Sequence, residues 1–322
     1  MRCSFNKIQK GILSVENLST KKKILAISGP TAVGKTALAI RVAEELGGEI
    51  ISCDSMQIYK GMDIGTAKPT KEELARVPHH MIDVVSPDVD FSCAEYKAMA
   101  TEAIEDIISR GKLPIFCGGT GLYLESVLYN GGFSEAPADK AVRERLAANS
   151  PEENWKRLID IDPDAAAKTH MNNLPRVIRA LEIYDLTGIT KTEWDRRSKE
   201  KTSDYDSRVI VLYASDRNFL YDRINHRVDI MIDEGLVEEV RALSLKKDST
   251  AGQAIGYKEI TEYFEGKSTL EEAIEKIKQA SRNYAKRQQT WWRHSNEARF
   301  VDICDKNFEN IVNFAISCAK SD

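Results

Sequence analysis

Short apolar runs alternate with amphipathic helical patterns over the first part of the chain. Strands are predicted at Ile24–Ser28, Glu49–Cys53, part of His80–Val85, and Leu113–Cys117. Between the last two, Ser92 followed by Glu95 forms a capping box, which predicts the start of a helix that ends near Gly111. This alternation of strands and helices is typical of a parallel, doubly wound α/β sheet.

The pattern then changes and later returns. Residues 137–199 show helical patterns only, separated by Pro151, Pro163, Pro175 and Gly188. Arg208–Tyr213 predicts a strand again, and helices are predicted at Asp216–Asp233, Gly235–Lys246, Gly256–Phe264 and Leu270–Arg293. We therefore predict an α/β core of residues 23–136 and 200–322, a helical insertion domain at 137–199, and a flexible N-terminal tail at 1–22.

Composition limits the classes of function. The formal net charge of −4 over 322 residues gives no global signature of nucleic-acid binding, so such a surface would have to be a local patch. No apolar run approaches the roughly 18 residues needed to span a bilayer, and residues 1–20 lack the apolar stretch of a secretory signal. The six cysteines form neither C-x-x-C nor a zinc-ligand pattern. We expect a cytoplasmic protein that is not bound to a membrane.

One motif predicts a phosphate site between the first strand and the next helix. It consists of Gly29, Pro30, Thr31, Ala32, Val33, Gly34, Lys35 and Thr36, and it matches G-x-x-x-x-G-K-[ST]. Backbone N–H groups at such a turn converge on an anion. Lys35 adds charge for the terminal phosphates, and the hydroxyl of Thr36 can hold Mg²⁺. The motif leaves the reaction open, since it can hold ATP for cleavage of a P–O bond or a diphosphate that departs intact.

Asp54 is a second candidate for chemistry. It follows the second strand, and ligands of open α/β sheets bind beyond the carboxyl ends of the strands. A carboxylate there can accept a proton from a nucleophile, although a turn aspartate fits the pair Asp54-Ser55 equally well. Residues 54–69 lack strand or helix periodicity and are interpreted as a loop that shapes a substrate site. Residues 118–121, Gly-Gly-Thr-Gly, form a second loop whose glycines permit close approach.

A pair of histidines and a series of basic residues each have two interpretations, one structural and one functional. Adjacent strand residues point to opposite faces, which favours a structural role for His79 and His80. The basic residues Lys278, Arg282 and Lys286 recur every four positions in a stretch without acidic residues. They form either a solvated helix face or a surface that binds a polyanion. Ile274, Ile277, Tyr284 and Trp291 fall near another face, which is predicted to be buried.

Five segments together resemble one known family, the tRNA dimethylallyltransferases. They are the phosphate loop, Asp54–Tyr59, Asp63–Pro69, Gly118–Tyr123 and Lys286–Trp291, in the order of the family. The resemblance extends over residues 23–293, and the chain lacks the C-terminal Cys/His zinc module of many eukaryotic members. It implies a P-loop NTPase-like fold of the bacterial form. It also implies the transfer of a dimethylallyl group from dimethylallyl diphosphate to N6 of the adenosine immediately 3′ of the anticodon of a tRNA, with release of diphosphate.

The resemblance also implies roles for individual residues. Catalytic roles are expected for Lys35, Thr36, Asp54, Thr120 and Arg227, with Arg227 as a ligand of the diphosphate. Contacts with tRNA are expected from Asp54, Ser55, Met56, Gln57, Thr120, Arg143, Arg176, Arg179, Gln253, Gly256, Tyr257, Lys258, Lys286, Arg287, Gln288, Gln289, Thr290, Trp291 and Arg293. The expected cofactor is Mg²⁺ on Thr36. The expected partners are dimethylallyl diphosphate and the anticodon stem-loop of tRNA, which the insertion would also contact, and a monomer is expected.

Three other functions stay open at this point. A small-molecule kinase would also carry a phosphate loop and an aspartate after the second strand, with ATP as donor. An adenylate prenyltransferase would use a free nucleotide as acceptor. A non-catalytic, nucleotide-switched RNA-binding protein would not need Asp54.

Overall fold

The computed structural model describes residues 21–129, 138–197, 202–293, 295 and 297–321. Within them one sheet of six parallel strands has the order β3-β2-β4-β1-β5-β6. The strands are β1 (Lys22–Ser28), β2 (Gly48–Ser52), β3 (His79–His80), β4 (Leu113–Cys117), β5 (Tyr205–Tyr213) and β6 (Ala298–Asp302). The predicted parallel sheet is confirmed, although β3 is much shorter than the apolar run that predicted it.

Fourteen helices lie within the described ranges. The first four are α1 (Lys35–Leu46), α2 (Lys71–Arg76), α3 (Cys93–Ser109) and α4 (Gly121–Leu128). They are followed by α5 (Lys140–Ala147), α6 (Pro151–Ile161), α7 (Pro163–Lys168), α8 (Leu174–Thr187) and α9 (Lys191–Arg197). The last five are α10 (Arg217–Asp233), α11 (Leu236–Leu243), α12 (Tyr257–Phe264), α13 (Leu270–Trp292) and α14 (Phe308–Lys320). None of these helices is long and apolar enough to cross a membrane.

Local signals that predicted helix ends are confirmed where they can be checked. The hydroxyl of Ser92 accepts the N–H of Glu95, whose carboxylate accepts the N–H of Ser92, so α3 begins with the predicted capping box. Gly111 follows the helix with φ 70°, a conformation that favours glycine. Of the predicted tail, residues 1–20 lie outside the described residues, and its last residue, Lys22, begins β1. The predicted domain boundaries at 136–137 and 199–200 also lie outside them.

The two faces of the sheet are covered by different helices. Along β1, Leu25 and Ile27 belong to a core with α1, α10 and α14, whereas Ile24 and Ala26 belong to a core with α3 and α4. This alternation follows from the period of two of a strand, and near-continuous apolar strands are typical of a parallel sheet buried on both faces. Because β1 lies between β4 and β5, the phosphate loop that follows it is attached to a central strand of the sheet rather than to one of the outer strands.

Two smaller clusters lie outside these layers. Helices α5 to α8 share an apolar cluster that includes Leu146, Leu158, Val177 and Leu181. Of the residues that the structure describes, none from a strand belongs to this cluster. Another cluster joins residues 58–62 of the loop after β2 to α11, α12 and the first turns of α13. The C-terminal helices therefore support the loop that was predicted to shape a substrate site.

A buried ion cluster lies near the amino end of β2, away from Asp54. The carboxylate of Glu49, 1% exposed, accepts from Arg110, from Lys112 at 2.9 Å and pairs with His80 Nε2 at 2.7 Å. His79 instead meets the carbonyl of Val77 at 2.8 Å, so the two histidines have separate structural partners. Hydrogen bonds from Arg110 are the main cause that holds the pKa of Glu49 well below its usual value.

We predict that Glu49→Gln lowers the free energy of unfolding by about 1–3 kcal/mol at pH 7, because hydrogen bonds to an ionised group are lost. A depressed pKa in the folded state stabilises the protein fully above the unfolded value near 4.5, and this contribution decreases progressively as the pH falls from there toward the much lower pKa of the folded state. Urea unfolding at pH 7 and pH 4 measures both effects, and the difference between the two proteins should shrink at pH 4. The control is Glu105→Gln, whose pair with Lys22 is about half exposed and should contribute little. Equal losses for both variants at pH 7 would contradict the prediction.

Candidate active site

The phosphate loop lies where the sequence places it, between β1 and α1. Lys35 is the first residue of α1, so the amino end of this helix faces the loop. Ala32 has φ 66°, a conformation that non-glycine residues seldom adopt. Such strain persists only where the surroundings over-determine it, which is usual at ligand-binding loops.

Two side chains of the motif are available for an anion. Lys35 Nζ donates to the carbonyl of Pro30 at 2.6 Å, and burial lowers the pKa of Lys35 to about 8, with the nearby Arg227 acting in the same direction. Thr36 lies on the first turn of α1 and is partly exposed. The motif thus places a desolvated ammonium and the side chain of Thr36, which hydrogen-bonds with Cys117, beside the helix start.

Two arginines of α10 hold the phosphate loop from outside the motif. Arg227 Nη1 donates to Thr31 Oγ1 at 2.6 Å, and Arg223 Nε donates to the carbonyl of Ala32 at 2.7 Å. Sequence reasoning missed Arg223, although it lies four positions before Arg227 and so shares its helix face. Burial lowers the pKa of Arg227, with the charge of Asp54 opposing this, and an arginine stays protonated in proteins.

Asp54 follows β2 and therefore lies at the carboxyl ends of the parallel strands, as the phosphate loop does. Its Oδ1 accepts the N–H of Met56 at 2.9 Å, which is the bond of a turn aspartate. Thr120 Oγ1 accepts the N–H of Ser55 at 3.1 Å, so the Gly-Gly-Thr-Gly loop meets the segment after β2. Burial and then the charge of Asp54 raise the pKa of Tyr284 to about 12, which places this side chain of α13 near the carboxylate. The two interpretations of Asp54 are therefore compatible, because the carboxylate that accepts the turn hydrogen bond also lies near Tyr284 of α13.

Hydrogen bonds within residues 54–69 and from neighbouring residues hold this loop. Gln57 Oε1 accepts from Ser52 Oγ at 2.9 Å, while its Nε2 donates to the carbonyl of Ala67 at 3.1 Å. Glu239 of α11 accepts three consecutive backbone N–H groups, from residues 63, 64 and 65, at 2.9, 2.7 and 3.1 Å. The hydroxyl of Tyr257, a residue expected at the tRNA, is buried and donates to Glu239 at 2.6 Å. Sequence patterns gave no signal for Glu239, because its partners are backbone groups far along the chain.

The glycines of the loop at 118–121 make room for protein. A Cβ on Gly119 would lie 1.9 Å from Gln288 Nε2, and a Cβ on Gly121 would lie 2.3 Å from the indole of Trp291. Gln288 is 5% exposed and connects the two loops of the site, while Trp291 is 43% exposed. The prediction that these glycines permit a close approach is confirmed, and the element that approaches the loop is α13.

The remaining residues expected at the tRNA are spread over three regions. In the helical segment, Arg143 and Arg179 pair with the buried Glu182 at 2.8 and 2.6 Å, and Arg176 is exposed. Around the start of α12, Gln253 is exposed, Lys258 is partly exposed and Gly256 is buried. At the end of α13, Lys286, Arg287, Thr290, Trp291 and Arg293 are exposed and Gln289 is partly exposed.

The structure changes the interpretation of the basic face of α13 and contradicts the expected burial of Trp291. Lys278 pairs with Asp229 of α10 at 2.8 Å, and Arg282 donates to Asn225 of α10 at 2.5 Å, so these residues pack against a neighbouring helix. The periodicity indicated a shared face, but it could not show that α10 lies against that face. Trp291 was expected to be buried, whereas Trp292 is 3% exposed and Trp291 is open to solvent.

A cavity of about 570 Å³ lies between α10 and α13 and touches the phosphate loop at Pro30. Its walls include four aromatic side chains, Tyr213, Tyr221, Trp292 and Phe300. Its lining also includes Arg217, Lys286 and Arg293 and, among the described residues, no acidic side chain, so its field favours anions.

The donor set fits a magnesium ion held mainly by its substrate. Within the described ranges no group of three His, Cys, Asp or Glu residues could hold a metal ion. Mg²⁺ is commonly bound by one or two protein oxygens together with substrate phosphates and water. Thr36, a partly exposed residue at the helix start beside Lys35, would supply an oxygen ligand of this kind.

Comparison with known proteins agrees with the predicted resemblance. Residues 57–295 match the family model described as IPP transferase. A tRNA dimethylallyltransferase of Anoxybacillus flavithermus is 50% identical over 295 residues, which cover 91% of this chain and 94% of the relative. Another tRNA dimethylallyltransferase, from Geobacillus thermodenitrificans, is 50% identical over 88% of this chain and 91% of the relative.

Solved structures agree with this result. A full-length tRNA isopentenylpyrophosphate transferase from Bacillus halodurans is similar with a TM-score of 0.70 and 44% identity, covering 93% of this chain and 97% of that chain. A eukaryotic dimethylallyltransferase acting on tRNA is similar with a TM-score of 0.76 and 31% identity, covering 90% of this chain and 77% of that chain. A phosphate loop held by α10 arginines, an aspartate on the same edge and these matches lead to one conclusion: the chain belongs to the IPP transferase family.

Proposed function

We propose that the protein transfers a dimethylallyl group from dimethylallyl diphosphate to N6 of the adenosine immediately 3′ of the anticodon of a tRNA, with release of diphosphate. The observation that carries the proposal is the placement of Asp54 and the phosphate loop at one edge of the sheet, with Tyr284 of α13 beside Asp54. The names of the relatives support the same reaction.

The phosphate loop explains how the leaving group is stabilised. The C–O bond between the dimethylallyl carbon and the diphosphate breaks, and negative charge grows on the diphosphate oxygens. Lys35, Arg227 and the loop amides present fixed positive charge and dipoles to that region. Thr36 and the diphosphate would together hold Mg²⁺, which neutralises part of the leaving-group charge when it is bound.

Asp54 explains how the acceptor becomes a nucleophile. The lone pair of an adenine amine is delocalised into the ring, so attack requires loss of a proton from N6. The carboxylate of Asp54 can accept that proton, and the hydroxyl of Thr120, bonded to the N–H of Ser55, lies beside this segment. The base has to leave its stack to reach this site, as is usual for enzymes that react on a base.

The exposed end of α13 is the part of the C-terminal region that fits tRNA. Lys286, Arg287 and Arg293 are exposed cations, and Trp291 offers an aromatic surface beside Gly121. Such a surface positions RNA through its phosphates and stacks bases. We also propose that the helical segment forms a domain that grips the anticodon arm, and that the protein is a cytoplasmic monomer.

One assay separates the other candidate functions. The protein is mixed with Mg²⁺ and labelled dimethylallyl diphosphate, and separately with labelled ATP, in the presence of unmodified tRNA or AMP. The proposed function requires label from the prenyl donor on tRNA. Label on AMP would indicate an adenylate prenyltransferase, and transfer from ATP would indicate a kinase. Absence of any transfer, with RNA bound in a nucleotide-dependent way, would indicate a non-catalytic RNA-binding protein.

Asp54→Asn should lower the rate of prenyl transfer by about 10²–10⁴-fold, because the amide cannot accept the proton from N6. The affinity for tRNA should be nearly unchanged. Single-turnover rates and tRNA binding measure the two effects, with the exposed Asp305→Asn as a control. Near-normal turnover of the Asn variant would rule out Asp54 as the base.

Lys35→Ala and Thr36→Ala should lower kcat/KM for dimethylallyl diphosphate, by about 10²–10³-fold for Lys35, while leaving the protein folded. In the unaltered protein, kcat/KM for the donor should fall as the pH rises through about 8, because the buried ammonium loses its charge there rather than near 10.5. The measurement is a pH profile from 6.5 to 9.5. Lys35→Arg stays charged, so its residual activity should lack this fall. A profile shared by both proteins would exclude Lys35 as its source.

Replacement of residues 139–199 by a short Gly/Ser linker should leave a folded core that binds inorganic diphosphate and no longer modifies tRNA. The reason is that the apolar cluster of α5 to α8 is formed within this segment. Calorimetry measures diphosphate binding, and the transfer assay measures modification. Full activity of the shortened protein would show that the segment is dispensable for tRNA.

A further inference from the structure

Gln288 of α13 lies between the two loops of the candidate site. Its Oε1 accepts the N–H of Thr31 in the phosphate loop at 2.9 Å, and its Nε2 donates to the carbonyl of Gly119 at 3.1 Å. The side chain is 5% exposed, and both ends of its amide have protein partners. This buried position leaves little of the side chain for an RNA ligand.

The sequence of the second loop matches this arrangement. Gly119 accommodates the amide, since a Cβ there would lie 1.9 Å from Gln288 Nε2. Gly119 does not have a positive φ, so an alanine would be acceptable to the backbone and would conflict with Gln288 instead. Gln288 and Gly119 are therefore a matched pair, in which a long amide requires a residue without a side chain.

The chemistry of glutamine suits a connection between two backbones. One amide provides an acceptor for the N–H and a donor for the carbonyl, and a buried group that loses either partner becomes costly. A methionine has nearly the same length but can make neither bond. Lys286 and Arg287, its neighbours on α13, are exposed. A ligand bound to these two residues would therefore contact the same helix that holds the phosphate loop.

We propose that Gln288 is a positioning residue, which holds the phosphate loop against the loop at 118–121 and couples donor binding to tRNA binding on α13. The proposal rests on the proposed function. It differs from the expectation that Gln288 contacts tRNA, because it assigns the residue to the donor side of the reaction. Coupling requires that each ligand raises the affinity for the other by the same factor.

The first test is Gln288→Met, with Gln279→Met as the matched control at an exposed position of the same helix. We expect the Kd of inorganic diphosphate and the KM for dimethylallyl diphosphate to rise roughly tenfold, as for the loss of buried hydrogen bonds. The Kd of tRNA measured without donor should stay within about twofold, and tRNA should no longer raise the affinity for diphosphate. The control should match the unaltered protein, and thermal unfolding shows whether each variant is folded.

The second test is a double-mutant cycle that does not depend on one variant folding well. Gly119→Ala should weaken diphosphate binding in the unaltered protein, because it displaces Gln288. In the Gln288→Ala background the same change should have little further effect, because the conflict is absent. Equal effects in both backgrounds would show that Gly119 is small for another reason and would overturn the pairing.

The outcomes separate this proposal from the proposed function. Weaker tRNA binding by Gln288→Met, with normal diphosphate binding, would make Gln288 a tRNA ligand and overturn the proposal. Normal binding of both ligands would overturn it as well. A protein that fails to prenylate tRNA, but whose diphosphate affinity still depends on Gln288, would refute the proposed function while leaving the role at the phosphate loop supported.

Discussion

The geometry of the site depends on hydrogen bonds that two helices of the C-terminal part, α10 and α13, make with the phosphate loop. Thr31 is held twice, through its N–H by Gln288 of α13 and through its hydroxyl by Arg227 of α10, and Arg223 holds the carbonyl of Ala32. A strained residue such as Ala32 keeps its conformation only under such constraint. The loop motif carries the groups proposed to bind an anion, and the two helices hold these groups in a fixed geometry, which a binding or catalytic site requires.

The parallel sheet brings the reacting groups together. All six strands run in one direction, so the residues that follow β1, β2 and β4 emerge on the same edge. The phosphate loop, Asp54 and Thr120 follow these three strands, and β1 lies between its two neighbours, β4 and β5. The phosphate loop and the carboxylate of Asp54 are therefore close together, although they are separated in the chain. Helix α13 covers this edge and offers exposed cations on its outer side.

The basic residues of α13 have different surroundings, although they share one helix face. Lys278 and Arg282 have the spacing of an RNA-binding face, yet they pair with α10 and stabilise the packing of the two C-terminal helices. Lys286, one turn further on, is exposed beside the site. The same helix thus packs against α10 with its middle turns and exposes one face of its last turns to solvent, while Gln288 and Trp292 on the other face are buried.

The sequence by itself determined most of the strands and helices of this protein and the place of its phosphate loop in the chain. Apolar runs and capping signals located β1, β2, β4, β5 and α3 but not β6, and the phosphate-loop pattern located the turn between β1 and α1, because these features depend on near neighbours in sequence. Only the tertiary structure decided which helix faces which loop. Spacing could not show that Gln288 points inward between Thr31 and Gly119, that Glu239 organises residues 63–65, or that Trp292 rather than Trp291 is buried. These contacts join residues separated by more than 150 positions, and a helical period indicates that residues share a face without indicating what packs against it.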